Sequence, residues 1–405
     1  MADMTAPDPF APATLGPVTL RNRIIKSATF EGPLRDNVVS DRLIRFHTRT
    51  AAGGVGMTTV AYCTVSPEGS TDGRTLLLRP EAADGLRRIA DAVHAEGAAI
   101  SAQVGHGGPV ANSAATKLPN LGPTRLLNPL SMSRCHAATE ADIERITAAF
   151  ADGAALLAES GFDAIEVHLG HGYLLSSFLS PKLNTRTDQW GGPELQNRAR
   201  FARQVMRAIR DRLGDRVAIT AKLNMDDGVP GGFWLDESVQ VARWLQDDGT
   251  VDALALTGGS SFANPMYLFK GDAPIEEMAV AMPKFMRPVF KRVGGRFLHA
   301  YPYEEAYFLP SARQFRAALD LPLVLLGGIS ELATVHRAMA EGFEFVAMGR
   351  ALLREPELLA RWQAGDDRGS LCIHCNKCMP TIYRGTHCVL VEPGDRLGAE
   401  AAVSS

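Results

Sequence analysis

Two patterns of apolar residues alternate along the chain. Short runs rich in β-branched residues are typical of buried strands, and longer stretches with apolar residues every three or four positions are typical of amphipathic helices. Strands are predicted over Arg23–Ala28, Val55–Ala61, Ala98–Val104, Ala164–His168, Val217–Leu223, Val251–Thr257, Leu323–Leu326 and Phe345–Met348. Helices are predicted over Pro80–Glu96, Thr139–Ser160, Pro193–Leu213, Asp236–Asp247, Glu331–Glu341 and Glu357–Gln363.

This alternation predicts an α/β fold. Strands separated by helices form parallel sheets, and eight such units fit a (β/α)8 TIM barrel. Reactive groups of these barrels lie at the carboxyl ends of the strands. Gln103, His168, Lys222 and Gly349 all fall at predicted strand ends. We therefore expect these residues to share one face of the barrel.

Two long insertions interrupt the pattern, and a cysteine-containing segment lies beyond it. Gly105–Ala138 follows the third strand, and the Met- and Phe-rich Gly258–Pro302 follows the sixth. Long insertions at this face build a lid or a substrate wall. For the second, a packed cap or a subunit contact within a homo-oligomer is an equal alternative. We assign residues 1–365 to the barrel domain and residues 366–405 to a short extension of that domain or a tail.

Composition narrows the class of protein. With 405 residues, 46% of them hydrophobic and 21% charged, the chain can bury a large core. A net charge of −3 gives no electrostatic reason to expect nucleic acid or an anionic membrane as a partner. No apolar run reaches the roughly 18 residues of a membrane span, and the amino terminus lacks the pattern of a signal peptide. We expect a cytoplasmic protein whose six cysteines are thiols or ligands.

The segment GFDAIEVHLGHGYLLSSFL carries the most chemistry. His168 ends the fourth predicted strand, and His171 and Tyr173 come directly after it. Two imidazoles can donate hydrogen bonds to one carbonyl oxygen and draw electron density from it. A tyrosine keeps its proton at neutral pH and can release it to a neighbouring carbon. Each residue alone is common as a structural group, but their shared position favours catalysis, for which a hydride source is still needed.

Glycines end the last two predicted strands. Gly327 and Gly328 come after the seventh strand, and Gly349 and Arg350 come after the eighth. Glycine lets backbone N–H groups approach a ligand, and a guanidinium pairs with phosphate. Barrel phosphate sites lie at these two loops, so the pair favours a phosphate site over ordinary turns.

The segment HLGHGYLLSSFLSPKLNTRTDQWGGPELQNRARF resembles the His-x-x-His-x-Tyr segment of the old yellow enzyme family, and the resemblance extends from Leu15 to Trp362. Members of that family are FMN-dependent ene-reductases, which pass hydride from a reduced nicotinamide to an activated alkene. The resemblance implies non-covalent FMN, reduction by NADH or NADPH, and a small enone-type substrate.

The resemblance also assigns roles to residues. His168 and His171 would bind the substrate oxygen, and Tyr173 would donate the proton. Gln103 would contact the pyrimidine edge of the flavin, and Lys222 would lie near N1 and O2, where a cation stabilises the charge of a reduced flavin. The other implied cofactor contacts are Ser27, Ala28 and Thr29 beneath the ring, Tyr62 beside it, and Gly327, Gly328, Gly349 and Arg350 at the phosphate.

Some positions depart from the family pattern. Phe30 stands where many members have a hydroxyl residue, and Thr29 lies one place early. Either Thr29 takes over the contact to flavin O4 and N5, or that contact is absent. Tyr62 stands where many relatives have a small residue, which would narrow the pocket above the flavin. A structural alternative for Lys222 is an ion pair with Asp226.

Four cysteines cluster near the end of the sequence. Cys372, Cys375, Cys378 and Cys388 have the composition of a zinc or iron–sulfur site, with His374 and His387 as further ligand candidates. The dienoyl-CoA reductase branch of the family has a similar run, which carries a cluster fed by a C-terminal FAD/NAD domain. The spacing here is shorter and no such domain follows in this sequence. We favour thiols without a metal over an iron–sulfur or zinc site, and we expect the isolated Cys63 and Cys135 to be inert.

Two other functions remain open from the residues alone. A phosphate-binding lyase or isomerase would use Lys222 as an amine nucleophile, but it would leave the histidine pair unexplained. A metal-binding scaffold would use the cysteines alone. We favour an ene-reductase.

Overall fold

Eight parallel strands close into a barrel. The computed structural model describes residues 6–127, 134–261, 263–282 and 284–399, so parts of both insertions and both ends of the chain lie outside the described residues. The barrel strands are β1 (Ile24–Lys26), β2 (Met57–Thr64), β3 (Ala99–Gly105), β4 (Ala164–Leu169), β5 (Ala218–Asn224), β6 (Ala253–Thr257), β7 (Leu323–Leu326) and β8 (Phe345–Met348). Each strand pairs with its neighbours in sequence order, and β8 pairs with β1 to close the ring. The predicted TIM barrel is confirmed.

Helices follow the strands, and the longer ones pack on the outside of the barrel. They are α1 (Asp41–Ala52), α2 (Ala83–Ala95), α3 (Ser113–Thr116), α4 (Glu140–Glu159), α5 (Leu174–Leu179), α6 (Leu195–Leu213), α7 (Leu235–Asp247), α8 (Ile275–Ala281), α9 (Arg287–Val293), α10 (Leu309–Ala318), α11 (Leu332–Ala340), α12 (Arg350–Arg354) and α13 (Leu358–Gln363). All six predicted helices are present, with ends shifted by a few residues. The barrel helices α1 and α10 were not predicted, and no described helix is long and apolar enough to cross a membrane.

Local signals explain the best-predicted helix. Thr139 lies just before α4 and its hydroxyl oxygen accepts a hydrogen bond from the Asp142 amide at 3.2 Å, while the Thr139 amide donates to the Asp142 carboxylate at 3.0 Å. This reciprocal pair satisfies amide groups that the first helical turn leaves without partners. Ile143, Ile146 and Phe150 then recur on one buried face.

The two ends of the barrel are closed differently. At the amino ends of the strands, a hairpin of Ala13–Leu15 and Val18–Leu20 packs its leucines into the barrel interior. At the carboxyl ends, the strands open into a cavity. The segment after residue 366 packs against this second end, where the Thr386 amide donates to the Glu31 carbonyl at 3.1 Å and Leu397 packs on Phe46 and Leu353.

Candidate active site

A cavity of about 500 Å³ occupies the carboxyl end of the barrel. Every residue that the sequence predicted for cofactor or substrate binding lines it: Ser27, Ala28, Thr29, Tyr62, Gln103, His168, His171, Tyr173, Lys222, Gly327, Gly328, Gly349 and Arg350. They come from strand ends that are far apart in sequence. The structure therefore brings the predicted site residues together, while the role of each one remains a prediction.

The two imidazoles and the phenol form one aromatic group. The His168 ring lies 4.9 Å from the His171 ring and 4.6 Å from the Tyr173 ring, between centroids. His171 has a positive φ of 63°, and its amide donates to Asn224 Oδ1 at 3.1 Å. The Nε2 atom of His171 is hydrogen-bonded to Thr257 Oγ1 at 2.9 Å. Neighbouring strands therefore fix the turn that carries His171.

His168 has the environment of a ligand-binding group. It is 3% exposed, and its buried Nδ1 atom has no hydrogen-bond partner among the described residues. Within the described segments His47 Nε2 and His106 Nε2 are also buried without a hydrogen-bond partner, but His168 differs from them because it lines the cavity, where a bound molecule can supply the missing hydrogen bond. Burial, and then the nearby His171 and Lys222, hold the pKa of His168 well below its usual value.

Both imidazoles are neutral at physiological pH. Burial and the charge of Lys222 lower the pKa of His171 to about 3. Since a neutral imidazole carries a single N–H, His168 can donate one hydrogen bond to a substrate oxygen, and His171 can donate one from Nδ1 when the Thr257 hydroxyl donates to its Nε2 atom. Burial also raises the pKa of Tyr173 well above its ordinary value, with further contributions from Tyr62 and Asp72, so this phenol keeps its proton throughout the neutral range.

Tyr62 supports Tyr173 from the side. The two rings meet edge to face with centroids 5.3 Å apart, and Phe30 lies 6.1 Å from Tyr62. The Tyr62 hydroxyl donates to the Gly69 carbonyl at 2.8 Å and accepts from the Thr71 amide at 3.0 Å. Because both hydrogen bonds are internal, Tyr62 offers the cavity a ring face rather than a free hydroxyl.

Lys222 is paired with a carboxylate on the neighbouring strand. Its Nζ atom lies 2.9 Å from Glu166 Oε1, which also accepts a hydrogen bond from Gln103 Nε2 at 2.8 Å. The expected alternative, a pair between Lys222 and Asp226, is wrong: Asp226 accepts from the Tyr267 hydroxyl and the Gly228 amide. The register of the parallel strands sets this choice, since Glu166 lies on β4 two residues before the position opposite Lys222.

A second buried cation lies beneath the loop after β1. Lys26 is fully buried, and its Nζ atom donates to Thr29 Oγ1 at 2.9 Å and to the Ser27 carbonyl at 2.8 Å. Thr29 in turn donates to Glu31 Oε1 at 3.3 Å, and Glu31 Oε2 accepts from the Ala61 amide at 2.9 Å. The Thr29 hydroxyl proton is therefore already used within the protein.

This network was missed in the sequence. Burial lowers the pKa of Lys26 to about 8 and raises that of Glu31 to about 7, each opposed by the charge of its partner. His47 lies nearby, with Nε2 3.9 Å from Glu31 Oε1. The signal that could have revealed the network is a lysine within an apolar strand with a glutamate soon after it, since buried charges need partners.

The glycine loops form the opposite end of the cavity. Gly327 and Gly328 have φ values of +100° and +74°, and a Cβ at either would collide with Phe308 or Tyr307. A Cβ at Gly349 would meet only the Thr29 methyl carbon, at 3.8 Å, so it would project into open cavity space. Arg350 lines this end and donates to the Lys270 carbonyl at 3.0 Å and to Asn376 Oδ1.

The four C-terminal cysteines meet at a separate cavity. Cys372, Cys375, Cys378 and Cys388 line a space of about 20 Å³ beside Arg350. Within the described ranges, no three His, Cys, Asp or Glu side chains are arranged to hold a metal ion.

The two histidines near the cysteines have different partners. His374 stacks on Tyr303 with ring centroids 3.4 Å apart, and its Nδ1 atom lies 3.9 Å from Cys372 Sγ. His387 Nδ1 is hydrogen-bonded to the Gly385 carbonyl at 2.7 Å. The isolated Cys63 and Cys135 are both buried free thiols, and burial raises the pKa of each. Their expected inertness stays a prediction.

Comparison with known proteins identifies the family. Residues 8–258 match the NADH:flavin oxidoreductase / NADH oxidase family. The chain belongs to this family. It is therefore an oxidoreductase, which sets aside both the lyase or isomerase and the metal-binding scaffold that the residues alone had left open.

Relatives of this flavin oxidoreductase differ in length. A 4,4'-dithiodibutanoate disulfide reductase from Rhodococcus erythropolis is 52% identical over 401 residues, which span 97% of this chain and 99% of that protein. The chain spans about half the length of other curated relatives, 50–53% of each, at 26–31% identity.

Solved structures support the fold. A 2-naphthoyl-CoA reductase complex superimposes with a TM-score of 0.81 at 23% identity, over 96% of this chain and 57% of that one. An old yellow enzyme homologue from Zymomonas mobilis gives a TM-score of 0.70 at 20% identity, over 91% and 96% of the two chains. At these identities the likeness concerns the fold alone.

The site residues fit the cofactor that the family implies. Family membership implies a flavin, FMN, and NADH. The glycine loops leave room for a group at the β7 and β8 ends, Arg350 supplies a cation there, and Lys222 with Gln103 supplies donors on the opposite side. The cavity therefore has the size and the polarity at each end that a flavin mononucleotide requires.

Proposed function

We propose that this flavin oxidoreductase uses NADH or NADPH to reduce the C=C bond of a small α,β-unsaturated carbonyl compound. The observation that supports the proposal most directly is the aromatic group of His168, His171 and Tyr173, which lies in the same cavity as Lys222 and Arg350. Two neutral donors beside one acid match the needs of a carbonyl substrate whose α-carbon must be protonated.

The residues divide the chemistry between them. The hydride would come from FMN when that cofactor is bound. His168 and His171 each donate one hydrogen bond to the carbonyl oxygen, which makes the β-carbon more electrophilic. Tyr173 donates its proton to the α-carbon, so that the product gains one hydride and one proton. The edge-on contact with Tyr62 holds the phenol beside the imidazoles.

A small organic disulfide is a second candidate substrate. The Rhodococcus relative, which is matched along nearly its whole length, is a disulfide reductase. The same site would serve this reaction: hydride adds to one sulfur, the S–S bond breaks, and the departing thiolate takes the proton of Tyr173. Two thiols are formed from one disulfide, one hydride and one proton.

Steady-state and stopped-flow assays of the purified holoprotein test both candidates. The protein is reduced with NADH or NADPH and then mixed with 2-cyclohexenone or with 4,4'-dithiodibutanoate, and reoxidation is followed by flavin absorbance. We expect rapid reoxidation by the enone. A His168→Ala, His171→Ala variant should lose this reaction and keep reduction by the nicotinamide.

The outcomes separate the two candidates. Reoxidation by the disulfide and not by a panel of enones would overturn the ene-reductase proposal in favour of the second. Reoxidation by the enone at the same rate in the histidine variant would show that the carbonyl binds elsewhere.

A further inference from the structure

A single carboxylate lies beside the aromatic group at the substrate end of the cavity. Asp72 follows Thr71, whose amide is bound to the Tyr62 hydroxyl at 3.0 Å, and the Tyr62 ring touches the Tyr173 ring. Both Thr71 and Asp72 line the cavity. The charge of Asp72 is therefore placed next to the proposed proton donor, where it contributes to the raised pKa of Tyr173.

This carboxylate is not neutralised by a cation among the described residues. Its Oδ1 atom accepts hydrogen bonds from the Arg74 amide at 2.8 Å and from Thr75 Oγ1 at 3.2 Å. Its Oδ2 atom is buried and has no hydrogen-bond partner in the described part of the chain. Lys222, in contrast, is already paired with Glu166.

The charges lining the cavity are unevenly placed. Apart from the histidines, the charged side chains among the described lining residues are Asp72, Lys222 and Arg350. The two cations lie at the positions that fit the flavin, and burial keeps His168 and His171 neutral. At the substrate end, the formal charge is therefore that of Asp72.

We infer that Asp72 selects substrates by charge, so that this enzyme takes neutral or cationic substrates and discriminates against carboxylate-bearing ones. The second candidate substrate, 4,4'-dithiodibutanoate, carries two carboxylates, so the inference predicts that it is a poor substrate of this chain, and rapid reoxidation by it would count against the inference. The inference rests on the proposed function, because it assigns a substrate class to the same site. A substrate carboxylate would approach an unpaired carboxylate in a partly desolvated cavity, where like charges repel far more strongly than in water. A substrate ammonium in the cavity would instead be attracted by the charge of Asp72.

A matched set of N-substituted maleimides tests the inference by turnover. The neutral N-ethyl, the cationic N-(2-aminoethyl) and the anionic N-(2-carboxyethyl) compounds share one reducible ring. In the wild-type holoenzyme we expect kcat/KM for the anionic compound to be about tenfold or more below that for the neutral one. Asp72→Asn keeps an oxygen that can accept a hydrogen bond from the Arg74 amide. In this variant the three maleimides should have similar kcat/KM values.

Calorimetric binding of the corresponding succinimides measures the same preference without turnover. Asp84→Asn is the charge-matched control, because Asp84 is exposed on α2 and pairs with Arg87 outside the cavity. It should keep the wild-type order of affinities, with the anionic compound weakest. Equal affinities in the wild type, or an unchanged order in Asp72→Asn, would overturn the inference. If the binding order appears but no maleimide is reduced, the charge selection holds and the proposed alkene reduction fails.

Discussion

The proton donor is the most direct test of the proposed chemistry. Tyr173→Phe removes one hydroxyl that makes no hydrogen bond to another described residue, and it leaves the ring contacts with His168 and Tyr62 in place. These aromatic pairs are each worth about 0.5–1.5 kcal/mol, and they survive the change. We therefore expect the free energy of unfolding to change by less than about 0.5 kcal/mol.

The catalytic effect should be far larger than the structural one. Loss of a positioned general acid lowers the rate by about 10²–10⁴-fold, and a hundredfold loss corresponds to about 2.7 kcal/mol of activation free energy. Stopped-flow measurement separates the two half-reactions. Reoxidation of the reduced flavin by the enone should fall about a hundredfold or more, while reduction of the flavin by the nicotinamide should be unchanged.

The pKa of Tyr173 adds a second expectation to the same assay. Because burial raises this pKa above its ordinary value, the phenol stays protonated, and the reoxidation rate of the wild type should not fall between about pH 6 and 9 through loss of this proton. Tyr62→Phe is the control, since it breaks two internal hydrogen bonds at a cost of about 1–3 kcal/mol and leaves Tyr173 intact. A reoxidation rate in Tyr173→Phe within about threefold of the wild type would refute its role as the acid.

Three further predictions concern the supporting residues. The pKa of His171 is about 3 in the folded protein and about 6.5 when unfolded, so the unfolded chain binds more protons below pH 6.5. Between pH 8 and 5, the free energy of unfolding measured in urea should therefore fall by up to about 2 kcal/mol more for the wild type than for His171→Asn. Equal losses in the two proteins would contradict this prediction. Lys222→Met leaves Glu166 buried without a cation and should lower the free energy of unfolding by about 3–5 kcal/mol. Adding Glu166→Gln should restore part of this free energy, and purely additive effects of the two substitutions on unfolding would disprove the coupling. Gly349→Ala should leave stability unchanged and weaken FMN binding about tenfold or more by fluorescence titration, and an unaltered dissociation constant would place the phosphate elsewhere.

Strand ends were the most predictable part of the site. Several predicted strands end with a polar or glycine residue after an apolar run, and parallel strands in a barrel bring all such ends to one face. His168, Lys222 and Gly349 could therefore be placed in one cavity before their contacts were known. The helices with strong apolar periodicity and a capping residue, such as α4, were predictable because those signals are local.

Side-chain ion pairs between neighbouring strands were harder to predict. Lys222 pairs with Glu166 on the neighbouring strand, and not with the Asp226 that is near in sequence. Such a choice depends on the register of two strands, which apolar periodicity does not determine to one residue. Lys26 and Glu31 were overlooked because a single lysine within the short predicted strand Arg23–Ala28 resembles a residue that faces solvent, although both side chains are buried.

The two lysines impose one constraint on the flavin site. Lys222 is bound to Glu166, and Lys26 is linked to Glu31 through Thr29, so each buried cation has its own carboxylate. The field that reaches the cavity is therefore that of the Lys222–Glu166 ion pair and of a lysine and a glutamate bridged by Thr29, and not that of two free cations, because neighbouring opposite charges largely cancel at a distance. Negative charge that gathers in the cavity must compete with Glu166 for the ammonium of Lys222. The same carboxylate also holds Gln103, so a shift of Lys222 toward the cavity would change the position of the second predicted flavin contact as well.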